Sequence, residues 1–257
     1  MGTATSYWRN ALTRLAWADC PLIWASQCDS VVSSDHVDLR IWLADLDVPV
    51  CTHQVEETQG WWRSQRSSEW LRASRMRCDT ERRRFLASRL LLKSVLEDSV
   101  GLSGDHVRIV IGPNGKPALV PPIIHFNMSR RGRIAAIALS ATHEVGVDLE
   151  PLRQLQDRDA LAEAIFSPPE IASWAHVQDA RRDAAFLLGW TRKEACLKAA
   201  GTGLSVDPKL INCGLTMGHT RVALAAKGQN FSIDVASVVG PGDVSLSCAL
   251  VSRRDQQ

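Results

Sequence analysis

The chain has 257 residues, 45% of them hydrophobic and 23% charged, and its 30 basic and 28 acidic residues leave a formal charge of +2 at pH 7. That composition excludes a largely disordered chain, and the net charge is too small to mark a nucleic-acid binder by itself. The length suits one large α/β domain or, as expected here, two compact halves that share a core.

Residues 1–36 read as an extension, with Trp8, Leu12 and Leu15 at helical spacing for a short amphipathic helix. Arg9, Arg14 and Asp19 interrupt this segment and argue against a signal peptide, and no apolar run approaches the length of a membrane span. Met1-Gly2 followed by Ser6 fits the loose myristoylation pattern, which is short enough to arise by chance. The first strand is predicted over residues 37–46, with Val37, Leu39, Ile41 and Leu43 on one face. Two helices follow, over residues 59–76 and 80–100, the second stopping before Gly101. Between Arg63 and Lys93 stand ten basic residues against Glu69, Asp79 and Glu81, which is either a solvated helical face or a site for a polyanion.

The run "VRIVIGPNGKPALV" (107–120) predicts a hairpin, because Asn114-Gly115 is the pair a tight turn demands, and it leaves Lys116 beside the turn. Strands are expected at "IIHFNMS", "RIAAIALS" and "VGVDLEPLR". After Pro151 the pattern turns helical: "LQDRDALAEAIF", then "SPPEIASWAHV" with Ser167 as N-cap, then "DAAFLLGWTRKEACLKAA" ending at Gly201. Strands resume near 221–225, 231–238 and 244–251. The seven cysteines are scattered, odd in number and without a Cys-x-x-Cys pair, which suits a reducing compartment and hence the cytoplasm.

Two features of this string carry chemistry. In "VGVDLEPLR" the carboxylates Asp148 and Glu150 stand one residue apart, so a strand points both to one face, and two like charges side by side call for a cation. In "WTRKEACLKAA" Glu194 and Lys198 are i and i+4 and share a helix face, which alone is the signature of a surface pair. Taken together, Asp148, Glu150 and Glu194 form an oxygen-donor set of the kind Mg²⁺ accepts alongside water and phosphate oxygens.

Read in order, "ERRRFLASRLLLKSV", "NGKPAL", "FNMS", "VGVDLEPLR", "FSPPE" and "WTRKEACLKAAGTGLS" resemble the motifs of the 4′-phosphopantetheinyl transferases, in the larger surfactin-type branch. The resemblance implies an α/β (α+β) fold of two similar halves related by a pseudo-two-fold, with coenzyme A between them. It divides the chain into an extension (1–36), an N-terminal half with the basic helix and the Gly-Lys-Pro hairpin (37–142), and a C-terminal half (143–257). It implies transfer of phosphopantetheine from coenzyme A to a serine of an apo acyl or peptidyl carrier protein, releasing adenosine 3′,5′-bisphosphate.

Position by position, the resemblance makes Asp148, Glu150 and Glu194 the Mg²⁺ ligands, Glu194 also the group that deprotonates the carrier serine, and Lys198 the cation at the leaving phosphate. Lys116 and Ser129 match coenzyme A phosphate contacts, and Arg82 and Arg89 fall in the family's basic helix. Where the family has Ser-His-Ser this chain has Ser129-Arg130-Arg131. Arg130 either takes over the histidine's hold on the 3′-phosphate with a bidentate fork or points to solvent. The expected partners are coenzyme A and carrier domains, with a monomer and neither nucleic acid nor membrane. A Mg²⁺-dependent phosphoesterase would use the same acids but leaves the helix and hairpin motifs unexplained. A nucleic-acid binder would use the arginine-rich helix, although the rest of the chain is not basic.

Overall fold

The computed structural model describes residues 24–28, 39–47, 68–101, 108–112, 114–240 and 242–256. In chain order the elements are β1 (Trp24–Cys28), β2 (Leu39–Asp45), α1 (Ser68–Ser74), α2 (Asp79–Val100), β3 (Arg108–Ile111), β4 (Pro117–Val120), β5 (His125–Arg131), β6 (Ile134–Ser140), β7 (Val145–Pro151), α3 (Arg158–Ile165), α4 (Pro168–Trp174), α5 (Arg182–Ala200), β8 (Gly218–Ala226), β9 (Gln229–Gly240) and β10 (Val244–Gln256).

Two four-stranded antiparallel sheets, ordered β1-β2-β6-β5 and β7-β10-β9-β8, form the centre of this mixed α/β fold, and β3 pairs with β4 as a separate ribbon. β2 and β6 are largely apolar on both faces, which is what burial between two layers requires. In β2 and β6, Leu39, Ile41, Leu43, Ala136 and Ala138 face the second sheet, where they meet Val145, Val147, Leu149, Leu246 and Leu250 in one core. The alternate residues Trp42, Ala44, Ile137 and Leu139 face outward and are covered by Phe85, Leu86, Leu92, Val95 and Leu96 of α2. On the far side α5 covers the second sheet, with Ala195, Leu197 and Ala199 against Val222, Ile233, Val235 and Ala249. The order of layers is therefore helix, sheet, sheet, helix.

Both long helices end as their sequences dictate. Gly101 (φ 66°, ψ 23°) and Gly201 (φ 66°, ψ 24°) take the left-handed conformation that closes a helix C-terminus, a region L side chains avoid. Ser167 and Glu170 form the reciprocal capping box that starts α4.

Three expectations differ from the structure. The 112–116 connection is longer than a two-residue turn: Gly112 N–H donates to Lys116 O and Gly115 N–H to Gly112 O, each at 2.9 Å. The helix expected over 59–76 is described only as the seven residues of α1, and 59–67 lie outside the described residues. Within the stretch read as an extension, β1 pairs with β2 from Trp24↔Leu43 to Cys28↔Leu39 and so lies at the edge of the first sheet. The amphipathic pattern at Trp8, Leu12 and Leu15, the Met1-Gly2 pattern and Val37 lie outside the described residues. No described helix is long and apolar enough to cross a membrane.

Candidate active site

The approach of β7 to α5 sets the site. A Cβ built on Gly146 would lie 2.1 Å from Ala195 O and 2.4 Å from Ala199 N, so only glycine lets the strand come this close to the helix backbone. Two residues further along, Asp148 points to the same face as Gly146, towards α5, and Glu150 follows it. From the helix, Lys198 Nζ reaches Asp148 Oδ1 at 2.6 Å and Val147 O at 3.2 Å.

The open edge of β7 is served by β5, whose His125, Asn127, Ser129 and Arg131 all leave one face. His125 Nδ1 lies 3.4 Å from Glu144, and Asn127 Oδ1 accepts from the Val147 N–H at 3.0 Å. Ser129 donates to Asp148 Oδ1 at 2.8 Å, and Arg131 lies 3.3 Å from Glu150. Of these four only Ser129 is a sequence-predicted site residue. The Asn127 contact has a sequence signal in "FNMS", a polar residue spaced by two from Ser129 on a half-buried strand.

Glu194 is the exception among the acids. Its Oε1 is buried with no hydrogen-bond partner. Burial pushes its carboxyl above the ordinary glutamate value, with Asp148 and Glu150 adding to the rise and Lys198 opposing it. A buried carboxylate oxygen without a donor, facing two further carboxylates, is short of positive charge. Among the described residues, no group of three or more His, Cys, Asp or Glu side chains is drawn together tightly enough to hold a metal. The reason is visible in the ion pairs: Asp148 is turned to Lys198, and Glu150 to Arg153 at 2.8 Å and Arg131. The crowding of like charges expected from the sequence is thus relieved by three cations of the chain itself. The donor set fits Mg²⁺ in chemistry, three carboxylates of which one oxygen is buried without a partner, while Asp148 and Glu150 are turned to cations of the chain.

The expected phosphate-binding cations also hold internal acids. Lys116 Nζ bonds Glu144 at 2.6 Å and Ala199 O at 2.9 Å. Arg130 bonds Glu81 at 2.9 Å and Gly132 O at 3.2 Å, so it is turned inward and not to solvent. Arg82 pairs with Asp79 at 2.5 Å, and Arg84 with Asp47 and Glu81. Arg89 stacks 4.9 Å over the Phe85 ring, and burial lowers its pKa. A cavity of about 220 Å³ opens beside Lys116, with Asn114, His125, Glu144 and Gly201 among its lining. Lys116 and Ser129 therefore stand at the junction of β7 and α5, whereas Arg82 and Arg89 lie on α2 with partners of their own.

The sequence reading missed the buried pair that anchors α5. Lys193 and Glu170 have fully buried side chains 2.6 Å apart. Lys193 also donates to the Pro208 and Ile211 carbonyls, while Glu170 accepts from the backbone N–H groups of Cys213 and Gly214. A lysine next to Glu194 in sequence gives no sign that it points the opposite way.

Comparisons with known proteins identify the family of this chain. The pattern of the 4′-phosphopantetheinyl transferase superfamily matches residues 144–248, which hold β7, α5 and the second sheet. The 4′-phosphopantetheinyl transferase HetI of Nostoc sp. (strain PCC 7120) is 32% identical over 172 residues, covering 65% of this chain and 70% of HetI. AcpT of Escherichia coli K12, another 4′-phosphopantetheinyl transferase, is 37% identical over 146 residues, covering 55% of this chain and 71% of AcpT. The 4′-phosphopantetheinyl transferase psf-1 of Bacillus pumilus is 30% identical over 134 residues, covering 52% of this chain and 56% of psf-1. The chain belongs to the 4′-phosphopantetheinyl transferase superfamily.

Proposed function

We propose that this chain moves the 4′-phosphopantetheine arm of coenzyme A onto a serine hydroxyl of an apo acyl or peptidyl carrier protein, in a Mg²⁺-dependent reaction that releases adenosine 3′,5′-bisphosphate. The observation that carries the proposal is the buried, partnerless Glu194 oxygen facing Asp148 and Glu150 beside Lys198. Asp148, Glu150 and Glu194 would hold the ion, which when bound neutralises charge on the diphosphate and favours attack at phosphorus.

The chain's own groups supply the rest. The serine oxygen forms a bond to the phosphorus next to the pantetheine arm as the bond from that phosphorus to the adenosine bisphosphate breaks. Glu194 accepts the serine proton. Lys198 moves from Asp148 to the leaving phosphate oxygen and places a point charge where negative charge develops. Lys116 and Ser129 hold phosphate oxygens, with Arg130 in the role of the family histidine, and Arg82 and Arg89 further out on α2. Lys116, Lys198, Arg82 and Arg130 each exchange an internal acid for a ligand phosphate, so little net ionic contact is lost on binding.

The fold reading extends to symmetry. We infer a pseudo-two-fold because the two sheets share a plan: the strand that precedes the long helix in each, β2 or β7, pairs with the last strand, β6 or β10, which pairs with β5 or β9, and β1 is an addition to the edge of the first sheet. Both long helices also end on a left-handed glycine. We infer the larger surfactin-type branch on the same ground, and the proposed activity requires neither nucleic acid nor membrane. A cytoplasmic monomer is the form we expect to act.

The test is direct. The chain is incubated with coenzyme A, Mg²⁺ and a panel of apo carrier proteins, and the carriers are weighed. A carrier should gain the mass of one phosphopantetheine arm when Mg²⁺ is present and gain nothing after chelation. Release of inorganic phosphate from generic esters without any carrier gain would favour the phosphoesterase reading instead.

A further inference from the structure

Behind the acids lies a run of buried hydroxyls that the proposed reaction does not use. Ser245 and Ser247 of β10 stand opposite Glu150 and Asp148, and Ser237 of β9 stands opposite Ser247. Residues paired across an antiparallel ladder share a face, so all of these side chains point towards α5. Thr191 comes down from that helix one turn before Glu194. None of the four hydroxyl residues is more than 3% exposed.

Thr191 Oγ1 lies 2.8 Å from Ser247 Oγ and 3.2 Å from Ser245 Oγ, and Ser237 Oγ lies 2.8 Å from Ser247 Oγ. Arg192 Nη1 donates to Ser237 Oγ at 3.0 Å, and Thr191 donates to Leu188 O at 3.0 Å. A guanidinium only donates, a carbonyl only accepts, and each hydroxyl has one proton. The order that uses every proton therefore runs from Arg192 through Ser237, Ser247 and Thr191 to the Leu188 carbonyl, with Ser245 donating to Thr191 from the side. A fully ordered chain polarised by a buried cation strengthens each of its bonds. Arg192 is 0% exposed; it also donates from Nε to Cys213 O and from Nη1 to Gly218 O, each at 2.8 Å, while its Nη2 is buried without a partner.

This hydrogen-bonded chain ties α5 to β9 and β10 and, through the ladder of β10 with β7, sets the helix over the strand that carries Asp148 and Glu150. Glu194 needs such help, because its Oε1 has no bond of its own to hold it. We propose that Thr191, clasped by Ser245 and Ser247, is a positioning residue for the divalent-cation site: it holds α5 where Glu194 meets Asp148 and Glu150. The inference rests on the metal reading above and adds residues that touch neither ion nor substrate.

The experiment is calorimetric titration of Mg²⁺ into the full chain saturated with coenzyme A, with thermal melting alongside. Thr191→Val keeps the shape and loses the hydroxyl. It should weaken Mg²⁺ binding by about 10–100-fold, the range seen when an outer partner of a metal ligand is lost, while leaving coenzyme A binding without Mg²⁺ within about twofold. Thr191→Ser should restore most of the affinity. Val235→Ala, which loosens the same helix-sheet core, should lower the melting temperature and leave Mg²⁺ binding at the wild-type value. Ser245→Ala, a milder cut that removes one donor to Thr191, should weaken Mg²⁺ in the same direction and serves if Thr191→Val does not fold. Unchanged Mg²⁺ affinity in the Thr191 and Ser245 variants, or an equal loss in Val235→Ala, overturns the positioning role alone. A wild-type chain that takes up no Mg²⁺ overturns both this role and the metal reading.

Discussion

At the scale of single residues the site is a set of cations already engaged with internal acids, and this sharpens what a substitution should do. Lys116 holds Glu144 and the Ala199 carbonyl, and under the proposed function it releases Glu144 for the 3′-phosphate of coenzyme A. Lys116→Ala should raise the Kd for coenzyme A by about 10–100-fold, the worth of one charge-assisted hydrogen bond, and the Kd for dephospho-coenzyme A much less. Calorimetry with the two ligands checks this, and equal weakening of both would refute the 3′-phosphate contact. The shared face of Asp148 and Glu150 was legible in their spacing by two on a strand, whereas the spacing of Glu194 and Lys198 alone reads as a surface pair and only the resemblance of the ordered motifs placed Glu194 with the strand acids. Their ion pairs were not legible, because Ser129, Arg131 and Lys198 reach them from strands and helices distant in the chain. The hydroxyls around Thr191 were invisible for the same reason: one threonine and three serines on three elements leave no pattern in the sequence.

At the scale of elements, the pairing of β7 with α5 turns on one glycine. A methyl group on Gly146 would meet the Ala195 carbonyl oxygen and the Ala199 nitrogen, and backbone atoms cannot swing aside as a side chain would. Gly146→Ala should therefore push β7 off the helix. We expect a loss of about 3 kcal/mol in denaturant unfolding, at the upper end for overpacking, together with loss of transfer activity even where the fold persists. Wild-type activity in that variant would mean that the strand can shift without moving Asp148 from its place. The ends of α2 and α5 and the start of α4 were legible, since their signals are local: glycine after the last turn, and Ser167 three residues before Glu170. The hairpin was read correctly as a hairpin but with too short a turn, because Asn114 has a distant use. Its side chain donates to Gly201 O at 2.7 Å, capping the end of α5, and no local rule foresees a partner 87 residues away.

At the scale of the whole molecule, the alternation of apolar residues announced buried strands, but not that the two sheets would meet face to face over a single core. That arrangement needs both sheets at once and cannot be seen in either stretch alone. Its outcome is that the cavity beside Lys116 sits over the shared core, with the elements around it laced by Asn114 to Gly201, Lys116 to Ala199 and Ser129 to Asp148. Swinging one sheet away from the other would expose that core to water, so a slow opening step is not available to the ligand. Exchange of side-chain partners remains, and rotamer changes are completed in nanoseconds, far faster than diffusional encounter at ordinary concentrations. The kinetics of capture follow from this geometry. In stopped flow, the observed rate of coenzyme A binding should rise in proportion to its concentration without levelling off, and should fall as salt screens the cations at the rim. A plateau would reveal a gate; a straight line means that the cavity stands open and that encounter alone sets the pace.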